Sequence, residues 1–236
     1  MDRKIQSADG SQTYYSSLFK ECYHSLKDGA FTETMHKHIL PPLLFGDVLQ
    51  QAKIRILDIC FGLGYNSFAS AWAYKTRSYD GKLEILSPEI DDSIFEKIQC
   101  IDYPREWDYL QIRENIAYLK SQKQVSLDTN TTLKVVIKDA FLFLDELEDL
   151  SIDIIYHDAF SLKSTPKFWE RDFFATLYRI LVPNGMVTTY VTHKDVYEVA
   201  KSVGFRVYKY QNYFCRKSTI LTKNLILKHP DLYLES

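Results

Sequence analysis

The stretch Ile54-Arg-Ile-Leu-Asp-Ile-Cys-Phe-Gly-Leu-Gly-Tyr-Asn-Ser67 decides the fold. An apolar run reaches Asp58, glycines follow at Gly62 and Gly64, and a helix-compatible segment begins at Asn66. This order predicts a buried strand, a tight turn and a helix whose N-terminus faces the turn. Glycine lacks a Cβ, so the backbone can approach a bound molecule here, and the helix N-terminus favours a negatively charged ligand group. The pattern alone leaves a cofactor-binding turn and a plain structural turn open.

Further strands and helices alternate along the chain after this turn. Apolar runs at 83–90, 132–138, 152–156 and 186–192 are each followed by a helix-compatible segment. This alternation predicts a parallel sheet with helices on both faces. The last two strand-like runs, 205–210 and 219–225, are joined too briefly for a helical crossover, so we expect an antiparallel hairpin. An α/β, mostly parallel, seven-stranded sheet with this ending resembles the Rossmann-like class I fold of S-adenosylmethionine-dependent methyltransferases.

Length and composition are those of a globular protein without a membrane span. With 236 residues, 46% hydrophobic and 25% charged, the chain can build one sizeable core and a small appendage. We therefore divide it into an N-terminal extension, 1–46, packed on a main Rossmann-like domain, 47–236. No stretch approaches the roughly 18 apolar residues that a span needs, and the first ten residues lack the apolar segment of a signal peptide. We expect a cytoplasmic protein.

Neither the cysteines nor the histidines form a metal-binding pattern. The four cysteines are widely spaced and include no C-x-x-C pair, so we expect buried reduced thiols rather than a disulfide framework or a zinc site. His36 and His38 would point to opposite sides of a strand, or about 200° apart on a helix. We interpret them as structural or surface histidines and expect no metal.

Carboxylates at the strand ends favour a cationic nucleoside as the ligand of the glycine turn. Asp58, Glu89, Asp139 and Asp158 all end predicted strands, at the edge where open parallel sheets bind ligands. The chain has no P-loop, and its turn departs from the G-x-G-x-x-G of dinucleotide folds. An acid directly before the turn would repel a pyrophosphate, whereas it suits the ammonium and sulfonium groups of S-adenosylmethionine. S-adenosylmethionine is therefore the predicted cofactor.

The predicted cofactor ligands also have a structural interpretation, because an acid at a strand end is more often a helix cap. Glu89 follows Gly64 by 25 residues, where a carboxylate can accept both hydroxyls of a ribose. Asp91, Asp92 and Ser93 compete for the capping role there, and the spacing favours Glu89 as the ribose ligand. Asp139 is placed to accept from the adenine amino group.

Polar and aromatic side chains are concentrated in the N-terminal segment 9–46. It contains Tyr23, His24 and Glu33, and Pro41-Pro42 is expected to close it. A β-hairpin and a helix packed across the main domain would explain the composition. The polar tips also suit the mouth of a pocket, so Glu33 is included among the cofactor-binding candidates, and Tyr23 and His24 among the substrate-binding ones.

Three blocks of sequence carry a resemblance to one protein family. They are Asp9-Gly-Ser-x-Thr-x-Tyr-Ser16 with Tyr23-His-Ser25, Gly29-Ala30 and Glu33; Asp158-Ala-Phe-Ser161 with Lys163, Pro166 and Trp169; and Arg216-Lys217. These blocks resemble the tRNA 5-methylaminomethyl-2-thiouridine methyltransferase family, elsewhere often fused to an FAD-dependent oxidase. The resemblance spans about residues 9–220.

The sequence departs from the family pattern at a few positions. Cys60 stands where the family usually has the first glycine of its turn, Leu162 replaces a proline, and Tyr213 and Cys215 replace glycines before Arg216-Lys217. No second dinucleotide turn is present. Within the resemblance we expect a stand-alone methyltransferase domain without the oxidase domain.

The resemblance implies methylation of 5-aminomethyl(-2-thio)uridine to 5-methylaminomethyl(-2-thio)uridine at the tRNA wobble position. The partner would be the anticodon stem-loop, with a functional link to the enzymes that install the aminomethyl group. Asp158 is the candidate for orienting or deprotonating the amine, and binding the cofactor or capping the next helix is its alternative role. The substrate-binding candidates are Tyr23, His24, Phe160, Lys163, Trp169, Arg216 and Lys217.

The charge distribution leaves other functions open. The net charge is −2, yet the section from Gly185 onward has eight basic and four acidic side chains, a net charge of +4. Such asymmetry is compatible with a nucleic-acid surface and equally with a solvated basic face. The alternatives are a methyltransferase or aminopropyltransferase acting on a small-molecule amine, and a non-catalytic binding partner in the tRNA pathway.

Overall fold

The computed structural model describes residues 2–235 and consists of two sheets with surrounding helices. The strands are β1 (Arg3–Gln6), β2 (Gln12–Ser16), β3 (Glu21–Cys22), β4 (Lys53–Ile59), β5 (Lys82–Glu89), β6 (Gln124–Ser126), β7 (Thr131–Ile137), β8 (Ile152–His157), β9 (Leu181–Thr189), β10 (Arg206–Tyr210), β11 (Ser218–Thr222) and β12 (Leu232–Leu234). The α-helices are α1 (Ala30–Thr34), α2 (Leu40–Phe45), α3 (Tyr65–Thr76), α4 (Ile94–Gln99), α5 (Ile112–Gln122), α6 (Ala140–Asp145), α7 (Arg171–Ile180) and α8 (Lys194–Ser202). A π-helix spans Met35–Ile39, and 3-10 helices span Val48–Gln50, Arg105–Leu110 and Pro166–Trp169.

The main sheet has the order β12-β10-β11-β9-β8-β4-β5-β7-β6. Its middle strands β9, β8, β4, β5 and β7 are parallel, and β10 and β11 form the expected antiparallel hairpin beside β9. The predicted α/β class and the parallel sheet with its hairpin are confirmed. Within the described residues the main sheet has nine strands rather than seven, because β6 and β12 add short antiparallel strands at its two edges.

Helices cover both faces of the parallel strands. Along β4, Ile54 and Ile56 point into one apolar cluster, and Leu57 and Ile59 point into the cluster on the opposite face. All four side chains are fully buried, and each such burial is worth about 1.5–3 kcal/mol. This explains why β4 reads as a nearly continuous apolar run. No helix among residues 2–235 is long and apolar enough to cross a membrane.

The turn after β4 contains three residues with a positive φ angle, namely Cys60 (68°), Gly62 (51°) and Gly64 (73°). A Cβ on Gly64 would lie 2.5 Å from the Phe68 ring, so packing as well as backbone conformation requires this glycine. The structure thus resolves the effect of the departure at Cys60. The cysteine adopts the left-handed conformation that glycine adopts more readily, at a cost of roughly 1–2 kcal/mol.

The cysteines differ from expectation in burial but not in redox state. All four are free thiols, as predicted. Cys100 is exposed and the other three are only partly buried, so the expectation of buried thiols is wrong. Cys100 lies just after α4, where its carbonyl oxygen accepts a hydrogen bond from Lys4 Nζ, and no core surrounds its side chain.

The N-terminal segment forms a small antiparallel sheet, β1-β2-β3, followed by a helix. Asp9 and Gly29, both in the first sequence block, meet at the start of α1. The Asp9 carboxylate accepts the Thr32 N–H at 2.9 Å, and a Cβ on Gly29 would lie 1.9 Å from the Asp9 carboxyl carbon. The segment contacts the main domain where Tyr65 donates its hydroxyl hydrogen bond to the Gln12 carbonyl at 2.8 Å.

One helix runs through the prolines that were expected to close this segment. Pro41 and Pro42 lie in the first turn of α2, which ends at Phe45, so that expectation is wrong. Proline has no N–H to donate, and its ring clashes with the carbonyl oxygen four residues earlier. The preceding turns widen into the π-helix, in which Leu40 N–H donates to the Met35 carbonyl five residues back.

Relief of backbone strain at Cys60 is testable by comparing two small substitutions. Cys60→Gly and Cys60→Ala both remove the thiol, but only glycine relaxes the positive φ angle. We expect Cys60→Gly to be more stable than Cys60→Ala by about 1 kcal/mol. Urea unfolding with equal m-values measures the difference, and equal free energies of unfolding would show that Cys60 is unstrained.

Candidate functional site

A cavity of about 1030 Å³ opens at the carboxyl ends of the parallel strands. Its floor is the end of the sheet and the glycine turn, and its walls come from the N-terminal segment and from the loop between β10 and β11. The sequence-predicted residues that line it are Gly62, Glu89, Asp139, Asp158, Glu33, Tyr23, His24, Phe160, Arg216 and Lys217. Candidates from both ends of the chain therefore converge on one site.

The other four sequence-predicted residues do not line the cavity. Asp58 is fully buried beneath its floor, and Gly64 packs against the Phe68 ring. Lys163 is exposed outside the cavity. Trp169 lies behind the wall, where its Nε1–H donates to the Phe160 carbonyl at 3.0 Å. Asp58, Gly64 and Trp169 support the site rather than face it, because the packing of the turn and the loop surrounds them, whereas Lys163 is exposed to solvent.

Glu89 ends β5 and faces the cavity with little exposed surface. Its Oε2 accepts the Gly62 N–H at 2.9 Å, and its Oε1 accepts the N–H groups of Ile90 and Asp91. Burial raises the pKa of the Glu89 carboxyl, although these backbone donors act in the opposite direction. A carboxylate has about four acceptor positions, so Glu89 can still accept from a ligand while it fixes the glycine turn.

Asn66 connects two buried carboxylates at the first turn of α3. Its Nδ2 group donates to Asp58 at 3.2 Å and to Asp158 at 2.9 Å. Its Oδ1 is buried and has no hydrogen-bond partner within residues 2–235. Asn66 also lines the cavity, so this side chain links the ligand site to both carboxylates.

The pKa of the buried Asp58 carboxyl is raised above the usual aspartate value. Burial raises the pKa of its carboxyl to about 7, and the nearby Asp158 charge acts in the same direction, while the Ser67 hydroxyl at 2.7 Å and Asn66 lower it. The side chain therefore changes charge near neutral pH. A cation bound in the cavity would stabilise the ionised form of Asp58, because charges interact strongly across the low-dielectric protein interior between them.

Asp158 follows β8 and is the carboxylate nearest the centre of the site. Burial raises its pKa, but the charge and contact of His38, the charge of His24 and the Asn66 hydrogen bond together lower the pKa below the usual aspartate range. Asp158 is thus held as a carboxylate beside a carboxyl with a raised pKa. Two acids with opposite shifts form an arrangement typical of functional sites.

Ion pairs close the cavity on the side of the N-terminal segment. Lys37 is almost fully buried and pairs with Glu33 at 2.7 Å and Asp28 at 3.0 Å. Arg216 donates to Asp28 at 2.9 Å and to the Ser25 hydroxyl at 2.7 Å. Glu33 also accepts the Ser25 N–H at 2.6 Å. Glu33 and Arg216 are therefore engaged with protein groups as well as lining the cavity.

Aromatic rings form the opposite wall. Phe160 stacks on Phe19 with ring centroids 4.4 Å apart and lies 5.1 Å from the Tyr23 ring. The Phe160 carbonyl also accepts from Thr165 at 2.7 Å. This fixed, flat surface is suited to stacking a planar ligand.

Asp139 has the capping role that was its structural interpretation. Its Oδ1 accepts the N–H groups of Phe141 and Leu142 at the start of α6, at 2.9 and 3.3 Å. It also lines the cavity, so its predicted contact with an adenine amino group stays a prediction.

Several residues of the site escaped sequence interpretation. The sequence indicated Asn66 only as the start of a helix. The burial of Lys37 and His38 depends on the π-helix, which the sequence did not predict. Tyr190, which donates to the Ala159 carbonyl at 3.0 Å, lies within the predicted strand 186–192 and belongs to no motif. For Asn66 a signal was present, since polar side chains that follow a glycine turn lie at the ligand-binding edge.

The sequence model of one family, described as S-adenosyl-L-methionine-dependent methyltransferase, matches residues 105–225, just over half of the chain. The chain belongs to this family. The methyltransferase also superposes on the crystal structure of MNMC2 from Aquifex aeolicus with a TM-score of 0.82 and 25% identity, over 96% of this chain and 72% of that one. These findings confirm the resemblance, the class I fold and S-adenosylmethionine as cofactor.

Two other similarities are more distant. An uncharacterized protein of Methanocaldococcus jannaschii is 26% identical over 195 residues, which are 79% of this chain and 49% of that protein. The chain spans about half the length of the curated relatives it matches. Spermidine synthase from Thermotoga maritima superposes with a TM-score of 0.56 and 15% identity over 95% and 73% of the two chains, which shows the fold alone.

The residues of the methyltransferase fit its cofactor. The carboxylates of Asp158 and Glu89 present acceptors around one cavity, and the cofactor carries an ammonium, a sulfonium and ribose hydroxyls as cations or donors. Glu89 is the candidate for the ribose. Asn66, with Asp58 behind it, replaces Asp58 alone as the candidate for the cationic end.

We expect Glu89→Ala to weaken S-adenosylmethionine binding by about 1.5–3 kcal/mol, the range for hydrogen bonds to a charged group. Glu84→Ala is the matched control, since Glu84 lies on the same strand but pairs with Lys53 at the protein surface. Titration calorimetry of the folded variants measures both. Unchanged affinity in Glu89→Ala would remove Glu89 from the site.

Cofactor binding should release protons near neutral pH. The raised pKa of about 7 leaves Asp58 partly protonated in the free protein, and a bound cation lowers that pKa. Linkage then predicts release of up to about half a proton at pH 7. Binding enthalpies measured in buffers of different ionisation enthalpy give this number, and the release should be smaller in Asp58→Asn. An identical release in both proteins would place the titrating group elsewhere.

Proposed function

We propose that the methyltransferase acts on the amine of 5-aminomethyl(-2-thio)uridine at the tRNA wobble position, giving 5-methylaminomethyl(-2-thio)uridine. The observation that carries the proposal is that Asp158, a carboxylate with a lowered pKa, lines the same cavity as Glu89 of the floor and Phe160 of the aromatic wall. An amine substrate needs such a neighbour, because it is positively charged in water and must lose a proton to attack. The likeness to MNMC2 supports the same reaction class.

S-adenosylmethionine supplies a methyl group on a sulfonium, which departs as a neutral thioether. The amine nitrogen forms the new bond to the methyl carbon as the carbon–sulfur bond breaks. Asp158 binds the substrate ammonium, accepts one proton and directs the nitrogen lone pair towards the cofactor. Because the leaving group is good, most of the rate gain comes from this alignment.

The aromatic wall supplies the recognition of a base. The Phe160 ring, stacked on Phe19 and next to Tyr23, offers a flat surface in the cavity that Asp158 also lines. A wobble base lies in a loop, so splaying it into the cavity requires no duplex opening. Stacking of a base on an aromatic ring is worth about 1–3 kcal/mol.

The loop between β10 and β11 is the proposed RNA-facing surface of the cavity mouth. Tyr213 is 98% exposed and Phe214 is 71% exposed, while Lys217 is exposed at the rim. Arg216 is one of the predicted substrate-binding residues, but Asp28 and Ser25 hold its Nε and Nη2. We therefore assign the phosphate contact to Lys217 and give Arg216 the role of holding the loop. A cytoplasmic location and a link to the aminomethyl-installing enzymes belong to this proposal.

Nucleoside mass spectrometry after incubation with S-adenosylmethionine and tRNA bearing 5-aminomethyl-type uridine tests the function. We expect 5-methylaminomethyl-type uridine with the wild type and at least 100-fold less product with Asp158→Asn, the lower range for loss of a general base. Methylation of a small amine such as putrescine but not of tRNA would instead support the small-molecule alternative.

Lys217→Glu should weaken tRNA binding and reduce the salt dependence of affinity by about one counterion, because it removes one phosphate contact. S-adenosylmethionine affinity should not change. Lys228→Glu is the control with the same change in charge, since Lys228 is exposed in the same basic section but does not line the cavity. Equal salt slopes for both variants would mean that the RNA contacts another face.

A further inference from the structure

His38 is buried directly behind Asp158. Its Nε2 lies 3.5 Å from Asp158 Oδ1, and its Nδ1 lies 2.9 Å from the Thr188 hydroxyl oxygen. The side chain is fully buried, and Nε2 has no hydrogen-bond partner within residues 2–235. A buried polar atom without a partner carries a substantial free-energy cost, so its orientation towards the carboxylate requires an explanation.

The π-helix explains how His38 reaches this position. Pro41 and Pro42 prevent regular hydrogen bonding to the preceding turn, and the widened turn buries two consecutive polar side chains, Lys37 and His38. Lys37 joins the ion pairs with Glu33 and Asp28, and His38 faces Asp158. Single π-turns in helices occur frequently at functional sites.

We propose that His38 is a positioning residue, which rests on the proposed role of Asp158 as acceptor of the amine proton. Both contacts of the ring are satisfied when the Thr188 hydroxyl donates to Nδ1 and the Nε2–H group points at Asp158. Thr188 thereby fixes the tautomer, and His38 fixes the carboxylate and favours its ionised form. The 3.5 Å contact shortens when substrate binds, as catalytic hydrogen bonds often do.

Other groups around Asp158 make different contributions. The titratable groups that interact with its charge are His24 from the segment after β3, Asp58 from β4, Cys60 from the glycine turn, His157 from β8 and Tyr190 after β9. His38 is the one that both lies at ion-pair distance from Asp158 and has its second ring nitrogen held in place. Removing it should therefore affect the carboxylate directly.

The first test needs no substrate. In protein labelled with ¹³C in the aspartate carboxyl carbons, Asp158→Asn identifies the Asp158 signal, and its titration gives the pKa. His38→Leu should raise the pKa of Asp158 by roughly one pH unit, since the contact from the Nε2–H group, which favours the carboxylate, is lost. His38→Gln, which keeps a nitrogen donor near the Nε2 position, should raise it less, and His36→Leu should leave it unchanged because His36 stacks on Phe214.

The second test separates positioning from mere packing. For methyl transfer to the tRNA amine, His38→Leu should lower kcat about tenfold and move the acidic limb of its pH profile to higher pH, because the ionised carboxylate is required. Affinity for S-adenosylmethionine should stay within about twofold, and His38→Gln should recover most of the activity.

The outcomes distinguish this inference from the proposed function. An unchanged pKa of Asp158 in His38→Leu, or equal behaviour of the leucine and glutamine variants, overturns the role of His38. If His38→Leu does not fold, Thr188→Val releases the ring instead, and the pKa of Asp158 should rise in the same direction; no rise again overturns it. A wild type that does not methylate tRNA refutes the proposed function alone, because the carboxyl titration is measured without substrate.

Discussion

The site depends on holding a buried carboxylate, Asp58, beside a partly buried one, Asp158. Asp58 and Asp158 end neighbouring strands, and one amide group, Asn66 Nδ2, donates to both. Two negative charges so close in a low-dielectric interior repel strongly. The protein resolves this by giving the two groups different environments. Asp158 has histidines beside it and keeps its charge, whereas Asp58 lies deeper and titrates near neutrality.

The cavity around these carboxylates has surfaces of different polarity and charge. The strand ends present acceptors on the floor, and the aromatic wall offers little polar surface. Within the described residues, the buried ion pairs of Lys37 neutralise the carboxylates on the N-terminal side. A ligand that is cationic at its centre and planar at its ends matches all three surfaces. The family's cofactor has this character, since S-adenosylmethionine carries a sulfonium near its centre and a planar adenine at one end.

The sequence predicted the fold and the edge of the sheet, because strand periodicity and turn glycines are local signals. Glu89 and Asp158 were placed correctly at the cavity for that reason. Asp58 was not, because a sequence shows that an acid ends a strand but not whether a later side chain, here Asn66, covers it. The contacts of His38 and Arg216 could not be predicted either, because their partners are distant in the sequence. Their partners Thr188 and Asp28 are 150 and 188 residues away, and no local pattern encodes such contacts.

The contacts between the two ends of the chain have a consequence for biosynthesis. Arg216 must bind Asp28 and Ser25 for the cavity wall to close, across separations of 188 and 191 residues. At about 5–20 residues per second, the N-terminal segment waits roughly 10–40 s on the ribosome for this partner. During that time Asp28 has Lys37 as its partner but not yet Arg216. Assembly of the active pocket is therefore a late step, and a nascent chain halted before residue 216 would contain the sheet but not a closed site.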